Sequence, residues 1–197
     1  MKPEGEYKVV IIGDAFVGKT SIINRYCNQT FSQQESPTIA ASYLQSSIEI
    51  EGTLIKMNLW DTAGHEKFHC VVPLYARTAD AMIIVFDLSN PETFISSKKW
   101  YSELTDEVGE IPVVILCGNK LDLTPGINTS EFEDWANENK IMFITVSALD
   151  GTNVDELFLK IATKIYSDVV VPNSTQSPPL VSTEKNAAGS EKKSCCK

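Results

Sequence analysis

Short runs of β-branched and other apolar residues recur along the chain, separated by longer stretches with helical spacing. The run at 7–12 is typical of a strand that is buried on both faces. Similar runs lie at 81–87, 112–118 and 141–146. Apolar and polar residues alternate at 48–50 and 54–60, on either side of Glu51 and Gly52, which predicts a hairpin of two antiparallel strands.

Helical patterns occupy most of the segments between these strands. The predicted helices cover residues 18–27, 91–108, 130–139 and 154–165. Asn90 and Pro91 suit the cap and first residue of the second helix, and from Val154 onward apolar residues recur along one face of the last. Strands that alternate with helices predict an α/β fold with a six-stranded, mostly parallel sheet, one antiparallel edge strand and helices on both faces.

The alternating pattern ends near Asp168. Residues 173–193 are rich in Ser, Thr, Pro and Asn and contain few large apolar side chains. Such a segment cannot bury enough surface to offset the entropy lost on ordering. We therefore predict one domain over residues 1–167 and a flexible tail over residues 168–197.

The formal net charge of −9 is carried by the predicted domain rather than by the tail. From Asp168 onward four lysines outnumber three acids, so the body carries −10. This charge argues against a nucleic-acid partner and against attraction of the body to anionic lipid. Residues 1–6 lack the apolar stretch of a signal peptide, and no apolar run approaches the roughly 18 residues of a membrane span. We expect residence in the cytosol, with any membrane contact made by the tail.

The five cysteines are too few and too scattered for a disulfide framework. Cys27, Cys70 and Cys117 each stand alone among apolar residues, and core packing is the ordinary role of such thiols. Cys195 and Cys196 instead lie in a polar terminal segment without a core to join. These two cysteines therefore need another explanation.

Residues 13–20, with the sequence GDAFVGKT, match the phosphate-binding pattern G-x-x-x-x-G-K-[ST]. Glycines at both ends let the backbone fold round phosphate oxygens with its N–H groups pointing inward, and the following helix adds a partial positive charge. Lys19 is expected to neutralise the β- and γ-phosphates, and the Thr20 hydroxyl to ligate Mg²⁺. Because the pattern follows a predicted buried strand and opens a helix, an accidental glycine turn is the weaker interpretation.

Three further motifs follow the ends of predicted strands: WDTAG at 60–64, NKLD at 119–122 and SA at 147–148. Together with residues 13–20, in this order and spacing, they resemble the small GTPases of the Ras superfamily over about residues 6–167. The resemblance implies the P-loop NTPase small G-domain fold, with GTP or GDP and Mg²⁺ bound outside the carboxyl ends of the strands.

Base recognition is expected at the NKLD motif, residues 119–122, and at the SA motif, residues 147–148. The Asp122 carboxylate can accept hydrogen bonds from guanine N1–H and the 2-amino group, two donors that adenine lacks. The resemblance further implies that Asn119 braces the loop, Lys120 covers the base face and the Ala148 N–H meets guanine O6. The other implied nucleotide contacts are Ala15, Phe16, Val17, Gly18, Ser21, Ser147 and Leu149. Leu149 stands where relatives commonly have Lys, and a plain strand-to-helix turn is the alternative interpretation of the NKLD motif.

Thr38 resembles the switch threonine whose hydroxyl completes the Mg²⁺ shell only when γ-phosphate is present. The resemblance implies that Asp61 holds the same ion through water and that the Gly64 N–H contacts the γ-phosphate. Loss of that phosphate would release both loops, which is the order–disorder switch of this fold. Phe31 matches an aromatic residue that packs edge-on against guanine, and a generic apolar contact beneath the loop is an equal alternative.

His65 departs from the pattern of the small GTPases, which usually have Gln at this position to orient the attacking water. An imidazole can also hold a water, but it titrates near pH 6.5 and offers one donor and one acceptor when neutral. With Lys19 and Gly64 as the other expected catalytic residues, the chain is predicted to hydrolyse GTP slowly. Two alternatives stay open: a scaffold locked in the GTP state, and a His65 with no catalytic part. An ATP-using P-loop kinase is excluded by Asp122 and by the lack of any lid segment.

Within the small GTPases, the chain resembles the Rab family. Residues 67–87 are similar to the second switch of Rab proteins and the strand that follows it. Tyr43, Trp60 and Tyr75 match the aromatic triad on which Rab effectors dock. Residues 34–45 resemble the early-endosomal Rabs most. Aromatic residues that merely cover the sheet are the alternative interpretation of the triad.

Cys195 and Cys196, with Lys192 and Lys193 upstream, resemble the double-cysteine end of Rab proteins, which receives two geranylgeranyl chains. Two chains anchor stably where a single short acyl chain anchors only marginally, and unmodified cysteines are the alternative. The resemblance implies a switch in endosomal vesicle traffic, on the cytoplasmic face of the membrane with a cytosolic pool. Its implied partners are an exchange factor, a GTPase-activating protein, a GDP-dissociation inhibitor, a prenylation escort protein and GTP-dependent effectors.

Overall fold

A computed structural model describes residues 5–32, 38, 42–64, 72–109 and 111–170, which form one six-stranded sheet with helices on both sides. The strands are β1 Gly5–Ile12, β2 Ser42–Ile50, β3 Thr53–Asp61, β4 Ala81–Asp87, β5 Val113–Asn119 and β6 Met142–Thr145. Their order is β2-β3-β1-β4-β5-β6, with β2 antiparallel to β3 and every other pair parallel. The predicted fold class is confirmed.

The helices of the described residues are α1 Lys19–Asn28, α2 Val72–Ala76, α3 Pro91–Val108, α4 Ser130–Glu138 and α5 Val154–Ile165. A 3-10 turn, Leu121–Leu123, follows β5, and a π-helical turn, Tyr166–Val170, extends α5 past residue 167, where the domain is predicted to end. The four predicted helices agree with α1, α3, α4 and α5 to within one residue. In this part of the chain no helix combines the length and the apolarity needed to cross a bilayer.

Apolar side chains on the two faces of the sheet form two separate cores. Ile11 of β1 faces the side covered by α1 and α5, where Phe158 is fully buried. Its neighbour Ile12 packs on the opposite side, together with Trp100 of α3. Because successive strand residues point to opposite faces, both must be apolar, which explains the continuous apolar run of β1.

β2 is longer than the sequence predicts, since it begins at Ser42 rather than at residue 48. Tyr43 lies opposite Trp60, and the pairing continues to Ile50 opposite Thr53. This strand forms the edge of the sheet, and none of its side chains is buried. Backbone pairing therefore places its mostly polar first half in the sheet without the apolar run on which the prediction depends.

Cys117 in β5 is fully buried and Cys27 in α1 is half-buried, as expected for core thiols. Burial raises the pKa of both thiols, which keeps them protonated. Several predicted features lie outside the described residues, namely His65, Cys70, Cys195, Cys196, residues 34–37 and residues 39–41.

The parallel strands bring the predicted motifs to one edge of the sheet. The loops that follow β1, β3, β5 and β6 contain residues 13–18, 62–64, 120–122 and 147–149. All of these loops leave the carboxyl ends of their strands, where α/β proteins bind ligands. The fold thus converts motifs that are far apart in sequence into a single site.

Candidate functional site

A cavity of about 730 Å³ opens at the carboxyl edge of the sheet, between the loops that carry the motifs. Its lining residues are Ala15, Phe16, Gly18, Lys19, Thr20, Ser21, Phe31, Ser32, Thr38, Gly64, Asn119, Lys120, Asp122, Leu123, Ala148 and Leu149. Two predicted contacts, Val17 and Ser147, are buried and do not belong to the lining. Ser32 and Leu123 line the cavity although the sequence did not predict them; each directly follows a predicted residue or motif.

The loop between β1 and α1 has the backbone of a tight phosphate-binding turn. Gly13 and Gly18 have φ angles of 139° and 94°, and Phe16 between them has a φ angle of 65°. A Cβ at Gly13 would collide with the Val85 carbonyl oxygen, and one at Gly18 with the Asn119 amide. Glycine at these two positions therefore lets the loop turn directly into the N-terminus of α1, where backbone N–H groups attract anions.

The Lys19 side chain is buried within this loop. Its Nζ donates hydrogen bonds to the carbonyl oxygens of Gly13, at 2.9 Å, and Asp14, at 2.7 Å. Burial lowers the pKa of Lys19 to about 8, although the carboxylates of Asp61 and Asp14 act in the opposite direction. An ammonium group held among carbonyl oxygens is well placed to donate to phosphate oxygens instead.

Gly64 lies directly against the Lys19 ammonium group. A Cβ at this position would collide with Lys19 Nζ and with the carbonyl group of Asp14. The segment after β3 therefore approaches the phosphate loop so closely that only a glycine fits. Gly64 is the residue for which the sequence predicts a γ-phosphate contact.

Three oxygen atoms from three separate segments meet beside the start of α1. The Thr20 hydroxyl donates to Asp61 Oδ2 at 2.7 Å, and the Thr38 hydroxyl lies 3.2 Å from the same oxygen. The two hydroxyl oxygens are 3.0 Å apart, and Asp61 is buried. Two hydroxyls and a carboxylate are hard oxygen ligands of the kind that suits Mg²⁺, which commonly keeps several waters and binds phosphate as well. The residues present therefore fit the predicted magnesium site.

Asn119, at the end of β5, organises the other end of the cavity. Its Nδ2 donates to the Val17 carbonyl oxygen at 2.8 Å, and its Oδ1 accepts from the Ala148 N–H at 3.2 Å. Asn119 thus joins the phosphate loop to the loop after β6, and it engages the N–H that was expected to meet guanine O6. Asp122 Oδ1 accepts a hydrogen bond from the Ser147 hydroxyl at 2.6 Å. The Asp122 carboxylate is therefore oriented by the neighbouring motif.

Lys120 is held by an ion pair at the wall of the cavity. Its Nζ lies 2.6 Å from Asp87 Oδ2, at the end of β4. Partial burial raises the pKa of Asp87, but hydrogen bonds from Lys120 and Ser89 outweigh this effect, and the net result is a lowered pKa. Lys120 lines the cavity together with the partly exposed Leu123 and Leu149. This is the end at which the sequence predicts that the base binds.

Phe31 lies between the cavity and the core, a position that is compatible with either of its predicted roles. Its side chain lines the cavity and also packs against the core on the side of α1 and α5. Phe16 also lines the cavity, but its side chain is largely exposed.

Two supporting side chains could not be found from the sequence. Trp100 of α3 donates from Nε1 to Asp14 Oδ1 at 3.0 Å, which ties α3 to the phosphate loop. Arg25 of α1 donates to the carbonyl oxygens of Ala148 and Leu149. Trp100 is 86 positions from Asp14, and Arg25 is 123 positions from Ala148. No local pattern connects residues at such separations, so only the folded chain reveals these contacts.

The predicted aromatic triad forms one contiguous group of rings. The ring centroids of Tyr43 and Trp60 are 5.6 Å apart, and those of Trp60 and Tyr75 are 5.5 Å apart. The Lys8 ammonium lies 5.1 Å from the Trp60 ring centroid, within the range of a cation–π contact. Tyr43 is 49% exposed, so the group is accessible from solvent.

A phosphate-binding loop, an oxygen cluster that fits Mg²⁺ and an NKLD loop surround one cavity, and together they define a nucleotide-binding protein of the α/β class. The sequence matches the Ras family over residues 8–167. The chain therefore belongs to the Ras family of small GTPases, molecular switches that bind GTP or GDP with Mg²⁺ and hydrolyse GTP. The individual nucleotide contacts assigned to this chain stay predictions.

Proposed function

We propose that the chain is a Rab-like switch that regulates endosomal vesicle traffic by recruiting effectors in its GTP state. The observation that carries this proposal is the aromatic triad of Tyr43, Trp60 and Tyr75, with its adjoining rings and an exposed edge. Aromatic side chains of this kind are enriched where proteins bind partners. Trp60 directly precedes the buried Asp61 in β3, so the magnesium site and the proposed partner surface are adjacent in sequence.

One phosphate group can control this surface through the segments that flank the hairpin. Thr38 precedes β2, Gly64 follows β3, and both line the cavity. Magnesium, when bound, supplies positive charge that offsets the phosphates and links them to the protein. With γ-phosphate present, the Thr38 hydroxyl and the Gly64 backbone are held, and with them the segments next to Tyr43 and Trp60. Loss of that phosphate releases both segments.

The two ends of the cavity have different roles: the phosphate end binds and hydrolyses GTP, and the base end selects guanine. Lys19 donates to the phosphates, while Asp122, oriented by Ser147, accepts from guanine N1–H and the 2-amino group. Adenine lacks this pair of donors, so it would leave the carboxylate partly unpaired. During hydrolysis Lys19 and Gly64 stabilise the γ-phosphate charge, and His65 holds the attacking water less well than Gln would. We expect slow turnover that an activating protein accelerates.

Membrane attachment is proposed to come from geranylgeranyl chains on Cys195 and Cys196, which follow the basic pair Lys192 and Lys193. Each buried CH₂ contributes about 0.8 kcal/mol, and stable anchoring needs two signals rather than one. An escort protein would present the tail for prenylation, and a GDP-dissociation inhibitor would cover the lipids in the cytosolic pool. An exchange factor would then load GTP at the membrane.

His65 favours a second candidate function: a scaffold that binds GTP, recruits partners and rarely hydrolyses the nucleotide. The two candidates differ in their response to an activating protein, which can accelerate hydrolysis about 10⁵-fold in this fold. Stimulation of that order supports the switch. A chain that is purified with GTP bound and does not respond supports the scaffold.

Uptake of a fluorescent endocytic tracer in cultured cells tests the proposed function. Tyr43→Ala removes the exposed ring, Tyr43→Phe keeps the ring and is the matched control, and Cys195→Ser with Cys196→Ser removes the lipid sites. We expect the full chain and Tyr43→Phe to reach endosomal membranes and alter uptake. Tyr43→Ala should reach the membrane without altering uptake, and the cysteine variant should stay in the cytosol.

Two results would contradict the proposal. A native chain that stays in the cytosol, with no prenyl mass on its C-terminal peptide by mass spectrometry, would contradict the membrane role. Uptake that no form of the chain alters, whether the chain is overexpressed or depleted, would contradict the role in traffic.

A further inference from the structure

Helix α1 contacts both ends of the cavity. Lys19 and Thr20, its first two residues, lie at the phosphate end, and Arg25, in its last turn, reaches the loop after β6. A helix rises about 1.5 Å per residue, so Lys19 and Arg25 are separated by roughly 9 Å along the axis. One rigid element therefore connects the phosphate contacts with the loop at the base end.

Arg25 holds two successive carbonyl groups of that loop. Its Nε donates to the Ala148 carbonyl oxygen at 2.9 Å, and its Nη2 donates to the Leu149 carbonyl oxygen at 2.5 Å. Its Nη1 lies 3.4 Å from the Gln29 carbonyl oxygen, at the end of α1. The planar guanidinium presents its donors in a fixed fork, which the single ammonium group of a lysine cannot reproduce.

The loop is held from its other side by the NKLD segment. The Ala148 N–H donates to Asn119, and the Ser147 hydroxyl donates to Asp122. Leu149 is 43% exposed and lines the cavity. An apolar side chain can contact a base only by packing, and packing depends on where its backbone lies. The Arg25 fork fixes that backbone from the side of α1.

We propose that Arg25 is a positioning residue that sets the lifetime of bound guanine nucleotide by fixing the backbone of Ala148 and Leu149 beside the base. Its hydrogen bonds are directed to protein carbonyl groups, so it acts on the nucleotide through the loop. The inference rests on the proposed guanine site and is independent of the role in vesicle traffic.

Release of fluorescently labelled GDP tests this inference on the full chain, with excess unlabelled GDP to prevent rebinding. Arg25→Lys keeps the charge and loses the fork. Arg77→Lys makes the same change at the other arginine of the chain, which is exposed. We expect Arg25→Lys to release GDP about tenfold faster, the size expected for one lost charge-assisted hydrogen bond, and Arg77→Lys to match the native rate.

The same measurement in EDTA separates positioning of the loop from damage to the helix. The tenfold factor should be equal with and without Mg²⁺, because the fork acts at the base end and the metal at the phosphate end. Arg25→Gln, which also loses the fork, should accelerate release as well.

An unchanged release rate in both Arg25 variants would overturn the inference. An acceleration that disappears in EDTA would also overturn it, because the substitution would then act through Thr20 at the start of α1. If the native chain takes up no guanine nucleotide, the guanine site itself fails. That result differs from failure of the Arg25 inference alone, in which the native chain binds guanine nucleotide normally and the Arg25 variants release it at the native rate.

Discussion

At the scale of single residues, the protonation state of Lys19 controls how tightly the phosphate loop binds a phosphate group. Burial lowers the pKa of this ammonium group to about 8 in the free protein. A bound phosphate favours the protonated form, so the pKa in the complex is higher than in the free protein. Well below pH 8, both states are protonated and binding takes up no proton. Above about pH 8, binding must take up a proton, and the affinity falls as the pH rises.

We therefore expect the dissociation constant of GDP to be nearly constant below pH 8 and to increase above it, by up to about tenfold per pH unit. Titration calorimetry in buffers of different ionisation enthalpy measures both the affinity and the proton uptake. In Lys19→Arg the guanidinium does not titrate, so any remaining binding should lack this proton uptake. An affinity of the native chain that stays constant over about two pH units centred on 8 would contradict the assignment.

His65 is the residue expected to set the rate of GTP hydrolysis. A Gln amide can orient the attacking water at any physiological pH, whereas an imidazole changes its charge near pH 6.5. In single-turnover assays we expect His65→Gln to be faster than the native chain, whose rate should lie below roughly 10⁻⁴ s⁻¹. His69→Gln changes the other histidine and should have no such effect. A His65→Gln variant slower than the native chain would reverse this interpretation.

Motifs identify residue types at this scale, but not the partners of each side chain. Lys19 and Asp122 could be assigned from their motifs, and the structure places both at one cavity. The pairing of Lys120 with Asp87 depends on β4 lying beside β5 in the sheet. The sequence contains no local signal for that neighbour, so the ion pair could not be predicted.

At the scale of elements, Asn119 at the end of β5 joins the loop after β1 to the loop after β6. Asn119 is buried and hydrogen-bonded to the Val17 carbonyl and the Ala148 N–H. Asn119→Ala would leave both of these backbone groups without that partner, and a buried polar group without a partner costs about 1–3 kcal/mol. We expect the free energy of unfolding to fall by about 2–4 kcal/mol and bound GDP to leave faster.

Urea unfolding in EDTA, without added nucleotide, measures this loss of stability. Asn137→Ala removes an exposed asparagine side chain from α4 and should change the free energy of unfolding by less than about 0.5 kcal/mol. Equal effects of the two substitutions would show that Asn119 does not join the loops energetically.

Strands and helices with a clear pattern of buried apolar residues could be predicted from the sequence, whereas those without such a pattern could not. The runs of β1 and β4 and the apolar face of α5 are buried, and each was located to within two residues. The first half of β2 is mostly polar and lies at an exposed edge, so it shows no continuous apolar run. Helix α2 has only five residues, including Pro73, and is too short to show a helical period.

At the scale of the whole molecule, the sequence predicts which edge of the sheet holds the site but not the order of the strands. Strands that alternate with helices imply a parallel sheet, and ligands bind at the carboxyl edge of such sheets. The order β2-β3-β1-β4-β5-β6 places β1, and the phosphate loop that follows it, near the middle of that edge. Apolar runs alone do not determine this order, because every buried strand presents a similar pattern.

The alternating pleat of β3 determines which mutations can change the aromatic triad without disturbing the predicted magnesium site. Buried and partly buried positions alternate along the strand, with Asp61 among the buried ones and Trp60 among the others. A slip of one residue exchanges the two faces of a strand. Deleting a single residue from β3 would therefore turn the Trp60 indole inward and the Asp61 carboxylate outward, so the ring surface and the carboxylate of the predicted magnesium site would be lost together. Point substitutions at Trp60 can change the outer face while Asp61 keeps its place.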